Sequence, residues 1–355
     1  MNNKIVVLGG VAALLSAGAV AQSSAQVYGV IDVGYVHFRA ADKKVMNTID
    51  NGMNQPSRIG FRGTEDLGNG LKAVFVLEYN IAPDQNSGIG DAASRTRFTG
   101  TQARQQYVGL SSGAYGTVVA GRLQTAGFDF ACTYNPVAGG AFNVTDRMKA
   151  ATIVVCGNGG RRDNAVAWNS PSFAGFSFAV NHARLTETAG TTNKNDASAN
   201  LLSVSYVNAG LRLGAVYSKM EMRDTAADDD VREYGLGAIY DFGVLKTFAM
   251  YQNWKVDGQS SDSKWALGVA VPFLERNTVK LAYGQNRIRS GGLSNADAQA
   301  WSVAYNYDLS KRTQLYAGWT HLSNERNATT AFASDYVVGN GANGDLLAFG
   351  VSHKF

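Results

Sequence analysis

The sequence predicts an all-β protein, a 16-stranded antiparallel transmembrane β-barrel. Two patterns indicate this fold: segments of about ten residues alternate apolar and polar side chains, and short turns alternate with long polar loops. Composition is a third indication, because 40 Gly, 16 Tyr and 16 Phe accompany only 5 Pro, a residue that sheet interiors exclude. The slightly negative mean hydropathy also fits, because outward apolar and inward polar side chains average out in a barrel wall.

The first 21 residues have the parts of a secretory signal peptide. Lys4 precedes an uncharged apolar run from Ile5 to Ala21, which ends in the small-x-small triplet Ala19-Val20-Ala21. A transmembrane anchor is the alternative, but the run contains Gly and Ala-rich steps and lacks a stop-transfer flank. We therefore expect a signal peptide over residues 1–21, with cleavage after Ala25 also allowed, and one barrel domain over residues 22–355.

The segments after the signal peptide have one apolar and one polar face, because strand side chains point alternately to opposite sides. Seven short and eight long connections join them, which gives 16 strands. A soluble β-sandwich also alternates, but at this length it would need several domains, and no linker appears between Gln22 and Phe355. The clearest apolar face consists of Leu71, Ala73, Phe75, Leu77 and Tyr79, opposite Lys72, Val74, Val76 and Glu78.

The two ends of the chain must pair if the barrel closes. An unpaired strand edge facing lipid would leave backbone groups without partners, each at a cost of several kcal/mol. The first strand, at residues 27–38, should therefore pair with the last, at residues 345–355. The connection at residues 39–54 should be an external loop. The chain ends on an aromatic residue, Phe355, which is a candidate assembly signal.

Four stretches give the chain a resemblance to a known family. They are VYGVIDVGY after the signal peptide, SRIGFRGTEDLGNGLKAVFVLE at residues 57–78, RQQYVGLSSGAYGTVVAGR at residues 104–122, and the ending GVSHKF. With these stretches the chain resembles the Gram-negative trimeric general-diffusion porins, particularly their β-proteobacterial and neisserial branch. The resemblance covers the whole chain.

This resemblance implies a homotrimer in the outer membrane, in contact with membrane lipid and lipopolysaccharide. It also implies a third external loop folded into the lumen as a constriction, and the connection at residues 123–160 occupies its place. The expected function is passive diffusion of small hydrophilic solutes and inorganic ions through a water-filled channel, without enzymatic activity.

Four arginines are candidates for the wall of the constriction. Arg58, Arg104 and Arg122 each lie seven residues from a short turn, and Arg161 lies nine residues from one. A rise of ~3.3 Å per residue and a tilt of about 45° put seven residues roughly 16 Å above the turns, near mid-membrane. The resemblance assigns similar arginines to the constriction. Phase supports a lumen position for Arg58 and Arg161 but not for Arg104, which is in phase with apolar residues, and the strand of Arg122 is ambiguous. A bulge, or a lumen wall covered by the loop, would reconcile Arg104 and Arg122 with a lumen position.

Fixed arginine charge in a narrow passage predicts a preference for anions. Glu78 and Asp32 should also point inward and weaken this field. The loop supplies little acidic counterweight, because residues 123–163 contain three acids, Asp129, Asp146 and Asp163, against four bases. Contact with the solvated rim or with lipopolysaccharide is the alternative role for each arginine.

The two cysteines, Cys132 and Cys156, both fall in this loop. An exported protein meets an oxidising compartment, so they are candidates for a disulfide that stiffens the constriction, and unpaired thiols are the alternative. We expect no metal site and no cofactor, because the four histidines are dispersed and no Cys-x-x-Cys or Gly-x-Ser-x-Gly motif is present. A formal charge of +4 is too small and dispersed to indicate nucleic acid. A substrate-specific channel or a surface adhesin is the alternative function.

Overall fold

The structure is a computed structural model that describes residues 24–41, 45–86, 89, 103–148, 152–185, 197–221, 229–332 and 336–355. The expected signal peptide, residues 1–21, lies outside the described residues. The described chain forms one antiparallel sheet that closes into a barrel. Its strands are β1 (Ser24–Ala40), β2 (Val45–Asn51), β3 (Arg58–Gly68), β4 (Leu71–Asn80), β5 (Ala103–Ser112), β6 (Gly116–Gln124), β7 (Arg161–Asn169), β8 (Phe176–Arg184), β9 (Ser198–Asn208), β10 (Leu211–Glu221), β11 (Val231–Asp241), β12 (Lys246–Val256), β13 (Asp262–Phe273), β14 (Asn277–Arg287), β15 (Ala298–Asp308), β16 (Thr313–Asn324) and β17 (Gly344–Lys354).

The 17 strands fill 16 positions around the barrel, because β2 and β3 share one position. β2 pairs with residues 33–39 of β1, and β3 pairs with residues 24–30 of the same strand. The 16-stranded fold is thus confirmed. The expectation of a loop over residues 39–54 was wrong at Val45–Asn51, where only Val45 and Ile49 present large apolar side chains outward. A segment with only two large outward apolar side chains among polar neighbours has the composition of a polar loop, and its sequence therefore did not indicate a strand.

The pairing of β1 with β17 closes the barrel, as expected from the sequence. The register runs from Val30 opposite Lys354 to Ala40 opposite Gly344. Backbone hydrogen bonds between Gly29 and Phe355, 3.1 and 3.2 Å long, extend this pairing to the last residue. Every edge of the wall therefore has a hydrogen-bonded neighbour in the described part of the sheet.

The two faces of the wall differ as the alternation predicts. Phe75 and Leu77 are exposed on the outer face of β4, whereas Glu78 and Asn80 of the same strand are buried inside the barrel. Short turns join the strands at one rim, which we call the short-turn rim, and the opposite rim carries the long connections. The hairpin between β9 and β10 is closed by Ala209 and Gly210 alone, both at positive φ, which suits a two-residue turn that follows the strand twist.

An α-helix, α1 (Ala126–Thr133), and two short 3₁₀ helices, Val144–Arg147 and Asn158–Gly160, lie between β6 and β7. This connection is the third long one along the chain and folds into the barrel, where α1 contacts β9 and β10 and the first 3₁₀ helix contacts β13, β14 and β15. A third 3₁₀ helix, Ser290–Gly292, lies in a later long connection. Among the described residues, no helix is both long enough and apolar enough to cross a membrane.

Candidate functional site

The inner loop, residues 125–160, begins and ends at the same point of the wall. Thr125 caps α1 by accepting a hydrogen bond from the Phe128 amide at 3.3 Å. The amide and hydroxyl of Thr125 both donate to the carbonyl of Gly160, at 3.0 and 2.8 Å. These bonds close the loop at its base.

Glycines on the inner face of the wall make room for the inner loop. A Cβ atom at each of these positions would lie within 2.1–2.6 Å of a loop side chain, closer than real Cβ contacts. A larger inward residue would therefore displace the loop. The pairs are Tyr134 with Gly214 and Gly237, Phe130 with Gly235, Pro136 with Gly268, and Phe142 with Gly318. These glycines lie on β10, β11, β13 and β16, so the loop contacts the wall far from its origin on β6.

Buried polar side chains of the wall anchor the returning part of the inner loop. The carboxylate of Glu233, which is fully buried, accepts hydrogen bonds from the backbone amides of Thr152, Ile153 and Val154, the last at 2.9 Å. Gln252 donates to the carbonyl of Val154 at 3.0 Å. Charge-assisted bonds of this kind are stronger than neutral ones, so Glu233 holds the loop against β11.

Cys132, near the end of α1, and Cys156, in the returning segment, are joined by a disulfide with Cα atoms 4.8 Å apart. The bond links the helix to the segment that Glu233 holds. The two halves of the inner loop are therefore tied to each other as well as to the wall.

Three of the four candidate arginines, Arg58, Arg104 and Arg161, lie close together on the inner wall. The Nε of Arg104 donates to Oε1 of Glu78 at 2.5 Å, and the Nε of Arg58 lies 3.6 Å from Oε2 of the same carboxylate. Tyr28 also donates to Glu78, at 3.0 Å. Glu78, only 5% exposed, is thus shared between two guanidinium groups. We call Arg58, Arg104, Arg161 and Glu78 the arginine cluster.

Arg161 completes the cluster from β7. It is 5% exposed, and its guanidinium lies over the ring of Phe128 of α1, 4.5 Å from the centroid. It is within electrostatic range of Arg104, Glu78, Arg122 and Arg58, and its Nε has no hydrogen-bond partner. Three guanidinium groups against one carboxylate leave the cluster with two net positive charges.

Arg104 reaches the lumen because of a bulge in β5. Leu77 pairs with Gln106, but Tyr79 pairs with Ala103, so β5 has one extra residue between these pairs. An extra residue reverses the facing of the residues beyond it. This is why Arg104 points inward to Glu78 and Asn80 although it is in sequence phase with Val108 and Leu110.

Arg122 is not brought into the arginine cluster. Its guanidinium forms an ion pair with Asp163 at 2.6 Å and donates to Asn158 and to the carbonyl of Ala103. On β6 it lies between Gly121 and the buried Leu123. The alternation along the strand puts Arg122 on the same face as the outward Val118 and Ala120. Its charge is matched by an exposed carboxylate at the edge of the inner loop.

Asp32 points inward but has a structural role. The side chain is fully buried and accepts from the amides of Asn54 and Gln55, each at 3.3 Å, and from the Tyr316 hydroxyl at 3.0 Å. It therefore fixes the segment between β2 and β3. The sequence could not distinguish this buried role from a position in the pore lining.

The acids of the inner-loop region differ in their surroundings. Asp163 pairs with Arg122, and Asp146 accepts a hydrogen bond from Asn143 within the loop at 2.8 Å. Asp129, on α1, is instead exposed inside the barrel. Enclosure by the wall raises the pKa of Asp129 to about 6, and the neighbouring Arg161 opposes this shift. In the sequence Asp129 is recognisable only as a loop acid, because the helix that places it in the lumen was not predicted.

The described histidines lie on the outer face. His321 contacts Asp345 at 2.9 Å and stacks on Trp319, and His37 contacts Asn47. These residues occupy outward positions of β1, β2, β16 and β17, away from the lumen. Within the described ranges, no group of three or more His, Cys, Asp or Glu residues could hold a metal ion.

Comparison with known proteins agrees with this architecture. A family model for Gram-negative porins matches residues 9–327. The chain belongs to the Gram-negative porin family. Outer membrane porin protein 32 of Delftia acidovorans is 31% identical over the whole of both chains. An outer membrane porin protein of Bordetella pertussis is 30% identical over 97% of this chain and 98% of its own.

A solved structure also resembles this porin closely. The anion-selective porin from Comamonas acidovorans superposes with a TM-score of 0.80 and 26% sequence identity, over 94% of this chain and all of that one. Family membership and fold together make this chain a porin of the outer membrane. The short-turn rim accordingly faces the periplasm and the long connections face outward.

Proposed function

We propose that this porin conducts small hydrophilic solutes and ions by passive diffusion, with a preference for anions and without catalysis. The observation that carries the preference is the arginine cluster. Three guanidinium groups and a single carboxylate lie together on the inner wall, and one of them, Arg161, contacts Phe128 of α1. The similarity to a porin that is itself anion-selective supports the same conclusion.

The physical basis is fixed charge in a confined aqueous path. Guanidinium groups stay protonated at any physiological pH, so the cluster keeps its charge. Low-dielectric walls focus the field of such groups into the lumen, which raises the local concentration of anions and lowers that of cations. The pairing of Arg104 with Glu78 neutralises one guanidinium, and the preference is therefore moderate rather than absolute.

The test is the reversal potential of single channels in a planar bilayer under a KCl gradient. We expect the sign for chloride preference. A potential of the opposite sign would leave the pore intact but assign selectivity to acidic groups such as Asp129. Absence of conductance would contradict the diffusion pore and favour a surface adhesin.

The homotrimer, the cleaved signal peptide at residues 1–21 and the contacts with lipid and lipopolysaccharide remain proposals based on the resemblance and the N-terminal sequence. Conductance steps that occur in groups of three would support the trimer, as would a native mass of three barrels. N-terminal sequencing of protein from the outer membrane would test the cleavage site. Truncation of the outward terminal aromatic, Phe355, would test its proposed role in assembly.

A further inference from the structure

A polar cavity of about 270 Å³ lies between α1 and the inner wall of β7–β10. Its wall residues adjoin the turns between β7 and β8 and between β9 and β10, so it opens on the periplasmic side of the constriction. The volume is below the range of pockets that hold drug-sized ligands, and it therefore suits a smaller solute. Residues lining the cavity include Asp129, Thr133, Tyr134, Asn169, Ser203 and Arg212.

The wall of the cavity offers hydroxyl and amide groups. Ser177 and Ser205 hydrogen-bond to each other at 2.8 Å across β8 and β9, and Ser203 and Asn169 lie beside them. Hydroxyl groups can both donate and accept, so this wall can replace part of the hydration shell of a polar solute. Phe130 of α1 and Tyr134, which directly follows the helix, supply an apolar surface on the other side.

Two opposite charges line the same cavity. Asp129 extends from α1 and Arg212 from β10, and both side chains are exposed inside the barrel. Arg212 faces inward because it shares its face with Gly214, the glycine that receives Tyr134. Among the described residues, no ion pair joins Asp129 to Arg212, so both charges remain available to a solute.

These charges select against simple ions. A small anion bound at Arg212 would be repelled by Asp129, and a small cation bound at Asp129 would be repelled by Arg212 and by the nearby Arg161. A neutral polyol would leave both charges without a partner of opposite sign. A solute that carries an ammonium and a carboxylate would satisfy both charges at once.

We propose that this cavity is a binding subsite for small zwitterions, namely α-amino acids with small or polar side chains, with the ammonium on Asp129 and the carboxylate on Arg212. The side chain of the solute would lie against the hydroxyl wall. This inference rests on the proposed diffusion function and adds a solute class to it. Such a subsite raises flux at low solute concentration, because occupancy of the channel is then limiting.

The test is the initial uptake of labelled L-serine, at micromolar concentration, into liposomes containing the porin. Labelled erythritol, a neutral solute of similar size, measures unaided diffusion through the same pore. We expect the serine-to-erythritol ratio to fall at least threefold in Asp129→Asn and in Arg212→Gln. Lys72→Gln is the matched control, because Lys72 faces the lumen from β4 outside the cavity.

A second readout separates binding from folding. Millimolar L-serine should reduce the chloride current of the wild-type channel reversibly, and each cavity variant should show an unchanged number of conductance steps but lose this block. An unchanged serine-to-erythritol ratio in both variants would overturn the subsite while leaving the diffusion pore intact. Absence of uptake of both solutes by wild-type liposomes would instead contradict the proposed function.

Discussion

The arginine cluster gives a quantitative prediction in which two substitutions shift ion selectivity in opposite directions. Arg58→Gln lowers the net charge of the cluster from two to one, and Glu78→Gln raises it to three. Glu78→Gln keeps side-chain size, and the amide oxygen that it introduces can still accept a hydrogen bond from Arg104. Arg58→Gln shortens the side chain but keeps it polar. Arg122→Gln is the control, because Arg122 carries the same charge but forms its ion pair with the exposed Asp163 and not with Glu78.

The magnitude follows from Coulomb's law. An ion that passes about 6 Å from the cluster experiences about 0.7 kcal/mol per unit charge at the permittivity of water, and about 0.4 kcal/mol after screening in 0.1 M salt. This changes the local concentration of each ion about twofold, in opposite directions for chloride and potassium. Each unit of cluster charge should therefore change the chloride-to-potassium permeability ratio about three- to fourfold.

The assay is the reversal potential of single channels under a tenfold KCl gradient, repeated at 1 M salt. We expect the permeability ratio to fall in Arg58→Gln, to rise in Glu78→Gln and to stay near the wild-type value in Arg122→Gln. The differences of Arg58→Gln and Glu78→Gln from the wild type should shrink at high salt. Two results would refute a role of fixed charge in the cluster. One is a permeability ratio that falls as much in Arg122→Gln as in Arg58→Gln. The other is a chloride-to-potassium permeability ratio that falls in Glu78→Gln.

Three further predictions concern the inner loop. Removing the disulfide in the double variant Cys132→Ala/Cys156→Ala should destabilise the loop by about 3 kcal/mol and add brief subconductance events to single-channel records; records without such events would contradict its stiffening role. Gly237→Ala should overpack the loop by about 1–3 kcal/mol and alter the conductance step, and adding Tyr134→Ala should restore the step. Acidification from pH 7 to 5 should raise chloride preference about three- to fourfold, because protonation of Asp129, whose pKa is raised to about 6, removes a negative charge from the lumen; Asp129→Asn should weaken this dependence, and an unchanged dependence would contradict the role of Asp129.

The sequence predicted the barrel wall well because its signal is local. Alternation with a period of two determines which side chains face lipid, and it assigned both faces of β4 correctly. The alternation no longer predicts the facing of side chains beyond a bulge, because one extra residue exchanges the inward and outward positions. Arg104 on β5 is the example. β2 was not predicted because the alternation is too short there. Only two large apolar residues, Val45 and Ile49, lie on its outer face.

The interior was harder to predict because it depends on contacts between residues far apart in sequence. The inward phase of Asp32 was correct, but only the fold brings residues 54 and 55 and Tyr316 onto its carboxylate. Asp129 was visible only as a loop acid, because its position depends on α1 and on the wall opposite. Glu233 has no local signal at all, since its partners lie about 80 residues earlier in the chain.

The same elements set the width of the pore and part of its charge. The inward glycines at residues 214 and 237 admit Tyr134 and so determine where α1 lies, and α1 carries both Phe128, on which Arg161 stacks, and the acidic Asp129. A substitution that displaces α1 must therefore change conductance and selectivity together. Arg58 and Glu78 project from β3 and β4 instead, and substitutions there should change selectivity with little effect on conductance. Comparing the two kinds of variant separates the contribution of pore width from that of fixed charge.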